Sequence, residues 1–242
     1  MNLKSKISKS HIIPPSNLSE VQCLNVDEPL IRVDSSDLVM VDPIWVSPTD
    51  EFEGRLYQDY IANNPSYDGV YARREVAERL EQAASSLPAN MQLVLRACHR
   101  PIEVQQKLLD QLTNSYVDAG MNYTDALDTA RLYVSDPTLK LPPHCCGASV
   151  DVDILDRNTA KLLDFGTVVN TDSERSFLHS NDISAEQTAN RAVLLKAMLD
   201  AGFASYYQEW WHYSYGDQLW AWFYSKPSAL YGIIDKSKHK LL

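Results

Sequence analysis

Two short segments of the sequence contain residue types that bind metal ions. The first runs from His144 to Asp151 and places an imidazole seven residues before a carboxylate. The second, Glu209-Trp-Trp-His212, places a carboxylate three residues before an imidazole. Two His and one Asp, with one coordination position left open, form a ligand set suited to a catalytic zinc site. We therefore predict that His144, Asp151 and His212 bind one Zn²⁺ per chain.

The remaining acidic residue of these segments, Glu209, is the candidate general base. A catalytic zinc ion lowers the pKa of its bound water to about 7. A carboxylate beside the metal can take a proton from that water. Glu209 lies close to the ligand His212 in sequence and is not itself needed as a ligand, so we predict that it acts as this base.

Each segment also has a structural alternative. A His and an Asp at this spacing occur by chance in many proteins, and a buried His often makes only a hydrogen bond. Asp151 and Asp153 fall on the same face of a predicted strand, where they repel each other unless a cation or a donor compensates them. If that face is exposed to water, neither carboxylate needs a cation.

The spacing of apolar side chains predicts the elements that position these residues. Alternating apolar residues indicate strands, and apolar residues three and four positions apart indicate helices. Ser184 and Gln187 resemble a capping box at the start of the last helix. Helices and strands follow one another without a regular βαβ rhythm, which favours an α+β fold. The predicted helices cover 70–87, 101–120, 126–134 and 184–202, and the predicted strands cover 91–98, 148–155 and 206–215.

The chain is predicted to form one domain, because it has no internal repeat and no linker rich in Gly or Ser. Residues 91–225 are the predicted catalytic core, with a central antiparallel sheet that carries the zinc site and is flanked by helices. Residues 1–90 are predicted to be an N-terminal extension and a helix. Prolines interrupt residues 1–50, which should wrap the core as loops and short strands.

The composition is that of a globular protein: 242 residues, of which 45% are hydrophobic and 22% charged. The net charge of −10 repels phosphate backbones and argues against nucleic acid as a partner. Neither a signal peptide nor a long apolar run is visible, so we expect a cytoplasmic protein without a membrane partner. Cys145 and Cys146 are interpreted first as small apolar fillers, then as a redox pair, and least readily as competing zinc ligands.

Taken together, these segments resemble the zinc D,D-peptidases of the M15 class, in particular D-alanyl-D-alanine dipeptidases of the vancomycin-resistance type. The resemblance extends from about Leu93 to Trp222. An Arg-Pro pair after a strand is matched by Arg100 and Pro101. The family's His-x-x-Gly-x-(Ala/Ser)-x-Asp motif is matched by His144, Gly147, Ser149 and Asp151, and its Trp-rich Glu-x-x-His motif by Glu209, Trp210, Trp211 and His212.

The resemblance implies a zinc peptidase that hydrolyses D-Ala-D-Ala or a related small D,D-dipeptide. In such an enzyme Glu209 would move a proton from the attacking water to the leaving amine. Arg100 would stabilise the oxyanion of the tetrahedral intermediate, a role in which a fixed cation contributes several kcal/mol. Without the other motifs, Arg100 would be interpreted as one half of a surface ion pair worth about 0–1 kcal/mol.

Departures from the family pattern concern the substrate. Ser149 and Asn170 are the predicted substrate-binding residues, but Asn170 stands where the family has an Asp that pairs with the free amine of the substrate. Asp172 could take that role, and Pro142 replaces a common Ser. A D,D-carboxypeptidase that acts on longer peptidoglycan stems is therefore the second hypothesis. The third is a zinc-binding domain without catalysis, which the retained Glu209 and Arg100 argue against. The sequence does not predict the oligomeric state.

Overall fold

A six-stranded mixed sheet forms the centre of the protein, in a computed structural model that describes residues 1–43, 51–131 and 133–234. The strand order is β2-β4-β5-β8-β7, with β6 paired to the far end of β5. A separate two-stranded sheet pairs β1 with β3. The strands are β1 Leu30–Val33, β2 Val39–Val41, β3 Val70–Arg73, β4 Met91–Ala97, β5 Ser149–Asp156, β6 Lys161–Leu162, β7 Ala204–Ser205 and β8 His212–Ser214.

Helices lie between these strands and confirm the predicted α+β class. The described residues include seven of them, and no helix among those residues combines the length and the apolar character that crossing a bilayer requires. The helices are α1 Leu3–Ser10, α2 Glu51–Asn63, α3 Arg74–Ser85, α4 Ile102–Asp118, α5 Tyr123–Ala130, α6 Ala185–Asp200 and α7 Gln218–Phe223.

Several predicted elements are present with shifted ends. The helix predicted at 70–87 is in fact strand β3 followed by α3, because Val70–Arg73 is fully buried and pairs with β1. The strand predicted at 206–215 contains only β8, since the residues before it form a loop that carries Glu209. The capping box of Ser184 and Gln187 is present at the start of α6.

The two central strands β4 and β5 hold the core together. They pair antiparallel, and the β5 side chains from Ser149 to Ile154 are all buried. A β-bulge between Leu95 and Ala97 interrupts the pairing opposite Val152 and Asp151. Bulges bend a strand and redirect its side chains, and they are common beside active sites. Here the bulge adjoins the predicted ligand Asp151.

Residues 1–50 contain more than the predicted loops and short strands, because they include a helix and a strand of the central sheet. Strand β2 pairs parallel with β4, so the central sheet is mixed, with one parallel pair at its edge. The helix α1, which the sequence analysis did not predict, begins at an Asn2 cap and contacts α6. Part of the predicted irregular segment, 44–50, lies outside the described residues.

Candidate active site

Strand pairing places the predicted ligands Asp151 and His212 directly opposite each other. Asp151 on β5 is the registered partner of His212 on β8. Side chains of such cross-strand partners project from the same face of a sheet. Oδ1 of Asp151 lies 3.0 Å from Nδ1 of His212, and both residues are buried. The sheet therefore fixes this pair without any flexible loop.

The third predicted ligand, His144, comes from a 3-10 turn at Pro143–Cys146, just before β5. Its Nε2 lies 3.3 Å from Oδ2 of Asp151, and its Nδ1 lies 2.8 Å from the carbonyl oxygen of Cys98. A carbonyl can only accept, so Nδ1 donates, and in the neutral imidazole Nε2 then carries the lone pair. This is the tautomer that a metal ligand needs.

Gly147 ends the turn that carries His144, and its conformation requires glycine. Its φ is +66°, and a Cβ there would lie 2.6 Å from Cδ2 of the buried Leu30. We expect Gly147→Ala to destabilise the fold by about 2–4 kcal/mol, from left-handed strain and overpacking together. Urea unfolding measures the loss.

Gly120 is a matched control for this substitution. Its φ is +98°, but no heavy atom lies within 4 Å of the Cβ position. Gly120→Ala should therefore cost only the backbone strain, about 1 kcal/mol. Equal losses in the two variants would contradict the close approach of Leu30 to Gly147.

The charges of the three predicted ligands are strongly coupled. Burial alone would raise the pKa of Asp151, but the two neighbouring imidazoles His144 and His212 outweigh it and lower that pKa. Burial opposes the charged form of His212, yet Asp151 and Glu209 raise the pKa of its imidazole. The carboxylate between two imidazoles is thus held in its charged form, which is the form that binds a cation.

Sequence reasoning missed the residues behind His212. Its Nε2 lies 3.4 Å from Oγ of Ser214, which follows two positions later on the same face of β8. The carboxyl group of Asp217 is buried nearby, and it accepts a hydrogen bond from the Trp220 amide at the start of α7. Such outer contacts orient ligating imidazoles in metal sites. The period of two along a strand was the sequence signal for Ser214.

Glu209 lies beside the three predicted ligands, as its sequence position suggested. Its Oε2 is 3.7 Å from Nδ1 of His212, and its side chain is 36% exposed. Desolvation by the surrounding protein raises the pKa of the carboxyl. The next residue holds the loop, since Trp210 is buried, stacks on Phe165 at 4.1 Å and donates through Nε1 to Thr167.

Arg100 is brought to the same place by a turn after β4. Its backbone N–H donates to the carbonyl of His144, and its Nη1 donates to Oε1 of Gln105 at 2.9 Å. Gln105 in turn donates to the carbonyl of Ser135. Arg100 is close enough to Glu209 to lower the pKa of that carboxyl, against the larger effect of burial. Gln105 therefore helps to position the guanidinium, a role that the sequence did not indicate.

A cavity of about 990 Å³ adjoins Arg100 and Glu209. Asn170, the first predicted substrate-binding residue, lines it together with Asp172 and has a φ of +64°. Ser149, the second, is fully buried and is not among the residues that line the cavity. A substrate in the cavity would reach Asn170 more readily than Ser149. Glu209, Arg100, His144 and His212 line the cavity as well.

Two neighbouring features settle alternatives that the sequence left open. The face of β5 that carries Asp151 and Asp153 is buried rather than exposed to water, and burial raises the pKa of Asp153 to about 6. Cys145 and Cys146 are also buried, and desolvation raises the pKa of both thiols, that of Cys145 to about 12. Thiols of this kind are packing residues, and neither belongs to the ligand cluster.

The cluster has the composition of a catalytic metal centre. One ligand atom each from His144, Asp151 and His212 lies within 4.8 Å of the others. Two imidazole nitrogens and one carboxylate oxygen suit Zn²⁺, and the adjoining cavity provides access for a further ligand. The donor set, the fixed His144 tautomer and the nearby carboxylate of Glu209 are those of metal-dependent hydrolases.

Comparison with known proteins identifies the family. The Peptidase_M15 model, described as D-ala-D-ala dipeptidase, matches residues 61–229, which is most of the chain. The chain therefore belongs to this peptidase family, and the resemblance stated from the sequence motifs is confirmed. The match begins after the first 60 residues, so these lie outside the part that the family model describes.

Three relatives are each named D-alanyl-D-alanine dipeptidase. The protein of Synechocystis sp. is 29% identical over 194 residues, covering 69% of this chain and 76% of the relative. That of Enterococcus faecium is 33% identical over 75 residues, covering 31% of this chain and 37% of the relative. That of Streptomyces coelicolor is 35% identical over 71 residues, covering 29% of this chain and 35% of the relative.

Two solved structures of VanY proteins are similar to this chain at lower sequence identity. A mutant of the vancomycin resistance D,D-pentapeptidase VanY in complex with Zn(II) gives a TM-score of 0.40 at 17% identity, over 67% of this chain and 83% of that one. VanYB in complex with D-alanine-D-alanine gives a TM-score of 0.39 at 16% identity, over 67% of this chain and 81% of that one.

Proposed function

We propose that the protein is a zinc-dependent dipeptidase that hydrolyses D-Ala-D-Ala or a related small D,D-dipeptide. The observation that carries the proposal is the convergence of ligand atoms of His144, Asp151 and His212 within 4.8 Å, beside Glu209 and at the edge of a cavity that His144 and His212 line. The relatives named D-alanyl-D-alanine dipeptidase support the choice of substrate. Zn²⁺ would be held by Nε2 of His144, a carboxylate oxygen of Asp151 and Nδ1 of His212.

When bound, zinc would supply a Lewis acid and lower the pKa of a water molecule toward neutrality. Glu209, beside the three ligands, would take a proton from the water that attacks the peptide carbonyl. The same carboxyl then returns the proton to the leaving amine. Burial raises the pKa of this carboxyl, which makes its protonated form easier to reach. A group that must both accept and donate a proton benefits from a shift in this direction.

Arg100 is placed to stabilise the negative charge that develops on the carbonyl oxygen of the substrate. The guanidinium is held by Gln105 and borders the cavity with Glu209 and His212. A cation that is already oriented stabilises an oxyanion without reorganising during the reaction. Arg100 is therefore proposed as the oxyanion-stabilising residue, and Asn170 as a residue that contacts the substrate.

A D,D-carboxypeptidase that acts on longer peptides is the second candidate, and two observations favour it. The cavity of about 990 Å³ is at the upper end of the 300–1,000 Å³ that drug-sized ligands occupy. The amide of Asn170 offers no charge to a free amine. Asp172, two residues after Asn170, borders the same cavity, however. Its carboxylate could pair with the ammonium group of a dipeptide.

A substrate panel tests the proposed function. The purified zinc-loaded protein is expected to release alanine from D-Ala-D-Ala and to leave L-Ala-L-Ala intact, measured with a D-amino-acid oxidase assay and by chromatography. Because a free amine distinguishes dipeptides from peptide stems, N-acetyl-D-Ala-D-Ala should be cleaved at least about 10-fold more slowly, as loss of one charge-assisted hydrogen bond implies. Preferred cleavage of the acetylated peptide would support the carboxypeptidase instead, and no cleavage of either D,D-peptide would refute both.

A further inference from the structure

The cavity of the candidate active site is bordered by an N-terminal segment that precedes the family match at residue 61. Residues 12–17, here named the proline strap, connect α1 to the 3-10 turn Leu18–Glu20. Two consecutive prolines restrict the strap, because each fixes its own φ. The apolar side chains that this region adds to the cavity lining are Ile13, Pro14, Pro15 and Leu18.

The strap is held at its first end by contacts with a turn near Glu209. The ring of His11 stacks on that of His179 at 3.5 Å, and Oγ of Ser10 lies 2.8 Å from Nε2 of His179. Leu178, the residue before His179, donates its backbone N–H to the carbonyl of Tyr207, which belongs to the loop that carries Glu209. The first end of the strap is thus tied to the loop that carries Glu209.

The second end is held by a residue that itself borders the cavity. Nε2 of Gln218, in the first turn of α7, donates to the carbonyls of Ser19 at 3.2 Å and Val21 at 2.7 Å. Gln218 follows the Asp217 that lies behind His212. The strap therefore runs between two supports, one bonded to the loop that carries Glu209 and the other next to Asp217. It borders the same cavity as Glu209 and His212.

The strap contributes apolar side chains to the cavity, whereas the reacting groups are polar or charged. Ile13 is 62% exposed although it borders the cavity, so much of its apolar surface is open to an occupant. Leu108, Leu112 and Leu141 add further apolar lining to the same cavity. A dipeptide of about a dozen non-hydrogen atoms is smaller than the drug-sized ligands that fill cavities of this volume. The alanine methyl groups of D-Ala-D-Ala leave most of this apolar lining unused.

We propose that the proline strap forms an apolar subsite that selects substrates carrying an apolar group larger than the alanine methyl. That group is a bulky apolar side chain on the amino-terminal residue of the dipeptide, whose amine stays free. It would bury surface of Ile13 and Leu18. The inference rests on the proposed function for where the peptide binds, and it names a substrate class that the family match does not include.

Binding, rather than turnover, tests the subsite. Isothermal titration of the zinc-loaded Glu209→Gln protein compares D-Ala-D-Ala with D-Leu-D-Ala, and with N-hexanoyl-D-Ala-D-Ala as a ligand that has an apolar chain but no free amine. D-Leu-D-Ala should bind about 10-fold more tightly than D-Ala-D-Ala, as burial of a few methylene groups implies. In the same background Ile13→Ser should weaken binding of D-Leu-D-Ala about 5–10-fold.

Ile12→Ser is the matched control, because Ile12 is 50% exposed but does not line this cavity. It should keep the full preference for D-Leu-D-Ala. Equal affinity for D-Ala-D-Ala and D-Leu-D-Ala, equal effects of the two serine variants, or tightest binding of the hexanoyl peptide overturns the proposed side-chain subsite. If selective binding persists while the wild-type protein hydrolyses none of these peptides, the proposed function fails and the subsite stands.

Discussion

Replacing Glu209 by Ala is expected to lower kcat for D-Ala-D-Ala at least about 100-fold, the low end of what loss of a general base costs. The carboxyl is the acidic group beside the cluster that can move a proton, with Oε2 at 3.7 Å from Nδ1 of His212. The zinc content should stay near that of the wild type, because Glu209 is not a predicted ligand. Steady-state kinetics and metal analysis of the same preparation measure both quantities.

Glu186→Gln provides the control for removing a carboxylate. Glu186 is exposed in the first turn of α6, outside the lining of the cavity. Its replacement should leave kcat within about 2-fold of wild type, as expected for a surface substitution. If Glu209→Ala keeps wild-type kcat, the proton transfer has to be assigned to another group and the proposed mechanism is wrong.

Removal of either imidazole ligand should deplete zinc. After equilibration with Zn²⁺ and removal of excess metal, the wild-type protein is expected to hold about one zinc per chain, and His144→Ala and His212→Ala much less. Peptidase activity should fall with the metal content. Inductively coupled plasma mass spectrometry measures the stoichiometry, and thermal unfolding with and without Zn²⁺ gives an independent readout, because a metal that binds the native state raises Tm.

A histidine outside the cluster separates ligand loss from a general effect of removing an imidazole. His11 is exposed and contacts His179 instead of the cluster. His11→Ala should retain one zinc and the zinc-dependent rise in Tm. Full zinc occupancy in both His144→Ala and His212→Ala would refute the ligand assignment.

Much of the central fold is predictable because its elements carry strong local patterns. Strand β5 alternates Val150, Val152 and Ile154 with polar residues, and α6 begins with a complete capping box. Strand β3 was missed, because its four residues lie directly before α3 and the sequence pattern includes them in the first turn of that helix. The fully buried Arg73 illustrates the difficulty: it donates from Nε to the carbonyl of Cys146, a partner distant in sequence.

The reacting residues were easier to predict than those that support or surround them. His144, Asp151, Glu209 and His212 lie in two short motifs, so their types and spacing already indicate metal chemistry. Gln105 carries no such signal, because its role depends on where α4 places it relative to Arg100. Ser149 shares the β5 face with Asp151, yet only the packing of the sheet reveals that it is fully buried. Its contact with substrate stays a prediction.

Hydrogen bonds between residues 22–26 and residues 229–230 bear on how the chain folds during synthesis. The Leu24 amide donates to the carbonyl of Ala229, and the Ala229 amide donates to that of Gln22. The partners of these hydrogen bonds are made on the ribosome only when the far end of the described chain is reached. Pairings of such long separation form late and slowly. Residues 22–26 should therefore reach their final position after the segment that carries Glu209 and His212 has been made.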